Sequence, residues 1–218
     1  MIIGISGKAR SGKDTLANVL CTHATRRGYR PVRLAFADDV KQEVAEFLDV
    51  AGVVWEPRHL DGTHADKEDQ LVLPNASEVL THVAEFSDFL LHRARYVPTQ
   101  DVALFTPRQL MQWWGTDYRR KQNDWYWVQR TLARCSDPGQ LYVITDVRHT
   151  IEFRALLGRG PLIRVVRPDA PRGSGAAHPS ETELDGVGDY TWSHILVNDG
   201  TLEQFLDQAL KLCHEVLP

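Results

Sequence analysis

Gly7 to Thr15 reads GKARSGKDT, and this stretch decides the fold. An apolar run, Met1 to Ser6 (MIIGIS), precedes it, and LANVLCTHATRRG follows with the pattern of a helix. A G-x-x-x-x-G-K core between a strand and a helix is a Walker A loop, whose successive backbone N–H groups converge on phosphate oxygens. Lys13 then reaches the terminal phosphates, and the positive end of the new helix faces the same anion. Gly7, Lys8, Ala9, Arg10, Ser11, Gly12, Lys13, Asp14 and Thr15 are therefore the expected contacts of a nucleoside triphosphate such as ATP. Most such loops place Ser or Thr directly after the lysine to ligate magnesium. This chain has Asp14 there, with Thr15 one place later. Asp14 either holds magnesium through water or caps the helix as a first-turn acid. Both readings stay open.

Working outward, four more strand-like runs appear at Pro31–Phe36, Leu141–Thr145, Leu162–Val166 and His194–Val197. They are apolar on both faces, as buried parallel strands are. Helical patterns alternate with them at Lys13–Arg27, Asp38–Val50, Ile151–Leu157 and Thr201–Val216. Such alternation predicts an α/β fold in three layers, a doubly wound parallel sheet of five strands with ligands at the carboxyl ends. The chain reads as a single domain, with its core at about residues 1–50 and 139–218 and a helical insertion at about 51–138. Within the insertion, Gly52 to Asn75 is polar and irregular and reads as a loop. Ala76–Arg95 reads as an amphipathic helix, and Thr106-Pro107 is a start signal for a helix running to Trp114. Asn123 or Asp124 is placed to cap a further helix toward Cys135. Pro168 to Pro179 (PDAPRGSGAAHP) predicts a short mobile lid, at about residues 168–180.

Composition narrows the partners. A net charge of −4 over 218 residues argues against a polyanion as the main partner, because nucleic-acid binders present a basic face. Cys21, Cys135 and Cys213 are odd in number and lack any C-x-x-C spacing, so they read as reduced thiols in a reducing compartment. No apolar run approaches membrane length, and Met1 opens the first strand directly, which predicts a soluble cytoplasmic protein without a signal peptide.

Asp146 ends the apolar run LYVIT, where an acid can hold magnesium or its water beside the phosphate loop; alternatively it caps a helix. Arg148 follows, and its planar fork suits phosphate oxygens. In TPRQLMQWWGTDYRR (106–120), Arg108, Gln112 and Trp113 or Trp114 lie three to four residues apart and can share a helix face. Arginine for a phosphate, an amide for a base edge and an aromatic for stacking would make a mononucleotide pocket. For the tryptophans taken alone, core packing is the better reading. Arg167 and Arg172 flank the Gly/Pro loop and could neutralise charge over a triphosphate. His178 and Glu181 read as a helix start or a loop lock; zinc is not expected.

Taken together, GKARSGKDT, AFADDVK, TPRQLMQWWGTDYRR with Trp127, VITDVRHTIEF, RVVRP, HPSETEL and VNDGTLEQF resemble the phage-type deoxynucleoside monophosphate kinases. The K-x-T ending of the loop is likewise that of nucleoside monophosphate kinases. The matches run in family order from residue 1 to about 210, with Val50 to Val102 lacking a counterpart. The resemblance implies the P-loop kinase fold and transfer of the γ-phosphoryl of ATP to a deoxynucleoside monophosphate with magnesium. It implies phosphate contacts at Lys13, Asp14 and Thr15, acceptor contacts at Asp38, Lys41, Arg108 and Arg120, and a catalytic role for Arg148. It also implies a lid beginning at Arg167, and Asn198 near the adenine. Magnesium would then lie near Asp14, Thr15 and Asp146. After Asp146-Val147-Arg148 this chain departs from its relatives: His149, Thr150 and Ile151 stand where they often carry an aromatic, Pro and Asn. Homodimers are common among such enzymes, and the insertion could supply a contact. Two rivals stand beside this reading: a kinase of another acceptor, such as a hydroxymethylpyrimidine within DNA or another phosphorylated metabolite, and a nucleotide-binding regulatory protein.

Overall fold

Five parallel strands support the Gly7–Thr15 loop: β1 (Ile2–Ser6), β2 (Pro31–Leu34), β6 (Leu141–Val147), β7 (Leu162–Val166) and β8 (His194–Val197), in the spatial order β2-β6-β1-β7-β8. The computed structural model describes residues 1–63, 65–78, 90, 93–168 and 182–217. All five predicted strands form, and β6 runs to Val147, beyond the predicted end at Thr145. Alternate side chains of a strand point to opposite faces, which builds the two cores. Ile3, Ile5, Val143, Ile163 and Val165 face helices α1 (Lys13–Arg26) and α7 (Leu202–Val216). Ile2, Tyr142, Ile144 and Leu162 face Phe153 and Leu156 of α6 (Thr150–Leu156). The result is a three-layer, doubly wound α/β fold, as expected.

Each covering helix is amphipathic at the required period. Leu16, Leu20 and Ala24 repeat every fourth residue on α1, and Phe205, Ala209, Leu212, Cys213 and Val216 line one face of α7. Thr201 caps α7: its hydroxyl accepts from the Gln204 N–H at 3.2 Å, and the Gln204 side chain accepts from the Thr201 N–H at 2.8 Å. All three cysteines are free, and burial pushes the Cys213 thiol up to about 11, which keeps it protonated and unreactive. No helix among the described residues is long and apolar enough to cross a membrane.

The chain divides into two compact units, Met1–Phe36 with Val128–Pro218, and Ala37–Trp127. The second begins earlier than the insertion read from sequence at about 51–138, because α2 (Phe36–Val50) turns Val44, Phe47 and Leu48 into its core. It ends earlier because Val128 belongs to the core of the first unit.

Gly52 to Asn75 is not the irregular loop its polarity suggests. It contains helix α3 (Pro57–Asp61), a 3-10 turn (Asp66–Glu68) and strand β3 (Leu71–Leu73). With β4 (Arg95–Val97) and β5 (Val102–Phe105), β3 makes an antiparallel sheet in the order β3-β5-β4, an element the sequence did not announce. The helix expected over Ala76–Arg95 lies largely outside the described residues, and Arg95 itself opens β4. The helix expected from Thr106 is α4 (Pro107–Gln112), with Thr106 and Gln109 in a capping box. It does not stop at Trp114: Trp113–Arg120 continue as a π-helix, and α5 (Tyr126–Ala133) follows.

That wider turn gathers aromatic side chains around Glu43 of α2. One Glu43 oxygen accepts from Trp114 Nε1 at 2.8 Å and Arg119 Nε at 3.0 Å, and the other accepts from the Tyr126 hydroxyl. The Arg119 guanidinium stands 4.8 Å from the Trp114 ring and 5.1 Å from that of Tyr126. Glu43→Gln would keep an acceptor but remove its charge. It is expected to destabilise the protein by about 1 kcal/mol, the difference between charged and neutral hydrogen bonds. Urea denaturation followed by tryptophan fluorescence reads this directly; an unchanged midpoint would remove Glu43 as the organising charge.

Candidate nucleotide-binding site

The loop between β1 and α1 has the backbone that its glycines predict. Gly7, Arg10 and Gly12 adopt positive φ angles of 151°, 61° and 107°. At Gly7 a Cβ would lie 2.4 Å from the Val165 carbonyl oxygen, and at Gly12 it would lie 2.9 Å from Asn198 Nδ2. Both positions therefore exclude any side chain, on conformational and on steric grounds. Ser11 N–H donates to the Lys8 carbonyl at 3.2 Å and closes the turn.

Lys13 is buried at the first position of α1, and its Nζ donates to the Lys8 carbonyl at 2.7 Å. The Ser11 hydroxyl is buried beside it without a hydrogen-bond partner among the described residues. A buried hydroxyl in that condition is costly and suits a ligand that brings an acceptor. Asn198 clamps the loop from β8: its Nδ2 donates to the Ser11 carbonyl at 2.9 Å and its N–H to Val166 at 2.7 Å. Arg167 Nη1 reaches the Arg10 carbonyl at 3.4 Å.

A cleft of about 300 Å³ opens here, lined by Arg10, Gly12, Lys13, Asp14, Thr15, Arg167, Asn198, Gly200, Leu202 and Phe205. That volume is at the lower end of small-molecule sites. A second, smaller cleft of about 90 Å³ lies on the other side of the loop, where Gly7 and Lys8 meet Arg148, Arg164, Arg167 and Asp185.

Asp14 stands in the first turn of α1, whose N-cap is Gly12 with no side-chain cap bond. Its carboxylate is ion-paired with Arg33 of β2. Asp146 is buried, and its Oδ1 accepts from the Phe36 N–H at 2.7 Å, so it caps the start of α2. Among the described residues no three His, Cys, Asp or Glu side chains cluster as a metal cage. Magnesium on a nucleotide needs only one or two protein oxygens beside the phosphates, and the Thr15 hydroxyl with the Asp146 carboxylate offers hard oxygen donors of that kind. Asp14 offers a third, for which Arg33 competes.

The turn after Asp146 is held by two carboxylates that sequence reading left without a role. Glu152 Oε2 accepts from the N–H groups of Arg148 at 2.8 Å and His149 at 3.0 Å. Glu183 accepts from the Thr150 N–H at 2.8 Å and pairs with His149 Nδ1 at 2.6 Å. Arg172, His178 and Glu181 lie outside the described residues, as does the lid expected over 168–180 apart from Pro168.

The acceptor residues expected from sequence all fall in the second unit. Arg108 is paired with Glu68 at 2.5 Å, Lys41 with Asp61 at 2.8 Å, and Arg120 with Asp124 at 2.9 Å. Asp38 lies in the first turn of α2 and Gln112 ends α4. Trp113 and Trp114 are core residues, each 8 % exposed, so packing occupies the face that stacking on a base would need. Arg119 is committed to Glu43 and Arg120 to Asp124. Arg164 escaped notice because it lies inside an apolar strand, LIRVV, where a charge is out of pattern; that misfit was the available signal.

No family model matches the chain, and no curated protein matches it. Among solved structures the chain is similar to dephospho-CoA kinase from Campylobacter jejuni, at 12 % identity over 98 % of this chain and 96 % of that one, with a TM-score of 0.38. A similarity of that size transfers neither a substrate nor a site residue.

Proposed function

We propose that this chain is an ATP- and magnesium-dependent kinase that phosphorylates a deoxynucleoside 5′-monophosphate to the diphosphate. The observation that carries the reading is the loop itself: a strained glycine turn, a buried lysine and a buried unpartnered serine hydroxyl, with a cleft on either side. In this reading Lys13 and the loop amides hold the β- and γ-phosphates, and Asn198, Gly200 and Phe205 border the base. Thr15 and Asp146, with Asp14, hold magnesium, which neutralises phosphate oxygens. Arg148 and Arg167, with Arg172, offset charge on the transferring group. Lys41, Arg108 and Arg120 belong to acceptor binding, with Asp38 and Gln112 beside them.

The acceptor oxygen is already anionic near neutral pH, so no residue has to act as a base. One P–O bond forms to the acceptor phosphate as the bond to ADP breaks, with ADP leaving on the electron pair. Catalysis is then alignment and charge compensation. ADP release with ATP and Mg²⁺ should depend on adding one or more deoxynucleoside monophosphates, screened singly beside the ribonucleotides. A hydroxymethyluracil-containing DNA control separates a polymer acceptor from a pool nucleotide. Slow hydrolysis unaffected by any acceptor would replace the kinase reading with that of a nucleotide-binding regulator.

A further inference from the structure

Arg164 is the third residue of β7, paired in register with Ser6 of β1 and Ile195 of β8, so a guanidinium stands inside a parallel sheet. Its side chain is 20 % exposed. A charge so placed needs close partners, and its two ion pairs are long ones. Asp189 pairs with it at 3.6 Å and Asp185 at 3.9 Å, and among the described residues its hydrogen bond is to the Val187 carbonyl at 3.4 Å. The Trp192 ring supports it at 5.7 Å. The cations proposed for the acceptor in the second unit differ: Lys41, Arg108 and Arg120 hold carboxylates at 2.8, 2.5 and 2.9 Å. Among the described residues, the five N–H donors on Arg164 thus share one long hydrogen bond and two long ion pairs.

The surroundings are equally unbalanced. Among the described residues, the lining of the smaller cleft brings Lys8, Arg148, Arg164 and Arg167 together with the carboxylate of Asp185. Asp185 meets Lys8 at 2.7 Å at the exposed rim. Gly7 and Lys8 line this cleft, Gly12 to Thr15 line the larger one, and Arg167 borders both.

We infer that this cleft is a second anion site, which takes the phosphoryl group of a phosphate monoester in bidentate contact with Arg164 and displaces Asp185 from Lys8. Resting on the kinase reading, the inference assigns the acceptor's phosphate to the first unit's own cations. The small volume admits one phosphoryl group and no base. Asp185 is its resident counter-ion: it offsets the cations in the empty cleft and gives way to a dianion, which offers more charge and a better-matched fork.

The test is titration of inorganic phosphate into the full chain saturated with Mg²⁺ and the β,γ-imido analogue of ATP, which fills the γ position. Wild type is expected to bind one phosphate. Arg164→Gln should weaken it at least tenfold without altering analogue affinity, and Asp185→Asn should tighten it severalfold. Equal phosphate affinity in wild type and Arg164→Gln overturns the inference. So does phosphate binding that occurs with ADP bound but vanishes with the analogue, because the ion then occupies the γ position. Should Arg164→Gln fail to fold by circular dichroism, Asp185→Asn decides alone, and unchanged or weaker binding overturns the inference. If the analogue itself does not bind, the nucleotide reading falls, and the same two comparisons are made on nucleotide-free protein. The kinase reading fails separately, through absence of acceptor-dependent ADP.

Discussion

Lys13→Ala is expected to lower kcat/KM for acceptor-dependent ADP release by about 10²–10³-fold, the usual cost of removing one preorganised donor from a developing charge. Lys13 opens α1 directly after Gly12, is buried, and is held by the Lys8 carbonyl at 2.7 Å, within the loop's own turn. An ammonium so placed is already desolvated, so little reorganisation precedes its contact with phosphate. Folding should change by no more than about 1 kcal/mol, since loss of the charge-assisted bond to the Lys8 carbonyl is offset by the charge no longer buried. Lys13→Arg should not restore turnover, because a planar fork does not replace a compact ammonium in a closed turn. Steady-state rates beside a thermal melt separate the effects. Undiminished turnover in Lys13→Ala would remove the loop from the chemistry.

Substitutions at Asp146 should split into two classes. Its carboxylate caps α2 through the Phe36 N–H at 2.7 Å, and in the proposed reading it also serves magnesium. Asp146→Asn keeps an oxygen acceptor for the N–H and loses the charge. It should remain folded while its apparent magnesium affinity falls about 10–100-fold, the range for lost metal partners. Asp146→Ala loses both roles and should also cost about 1–3 kcal/mol for the buried N–H left without a partner. Magnesium titrations of activity, beside urea denaturation of both variants, resolve the classes. If Asp146→Asn shows the wild-type magnesium dependence, Asp146 is a cap alone.

The buried sheet was readable because long apolar runs separated by glycine, proline and polar turns leave few alternatives. Thr106 with Pro107 signalled a helix start through two adjacent residues. Strand order was not readable: no local feature of Met1–Ser6 says that it will lie between β6 and β7. Strands of three residues, such as Leu71–Leu73 and Arg95–Val97, are too short to display a period and form only because β5 pairs with both. The π-helix escaped for a related reason, since Trp113–Arg120 fits an ordinary helical pattern until Glu43 draws Trp114 and Arg119 together. At the site, the loop and Asp146 were legible as motifs. Glu152, Glu183 and Asp185 were not, because each acts through partners in other segments of the chain.

The central position of β1 constrains the order in which this protein can be made. Its apolar strand is synthesised well before its two neighbours, β6 and β7, which follow only after residue 140. The Gly7–Thr15 loop waits longer still, since Asn198 and Phe205 close around Gly12. A nascent chain therefore carries an unpaired hydrophobic strand until β6 is made, and in the proposed reading nucleotide offers no rescue before Asn198 and Phe205 are in place. Contacts so distant in sequence fold slowly and expose the chain to aggregation meanwhile. Chains truncated before β8 should neither bind nucleotide nor be protected by it from proteolysis.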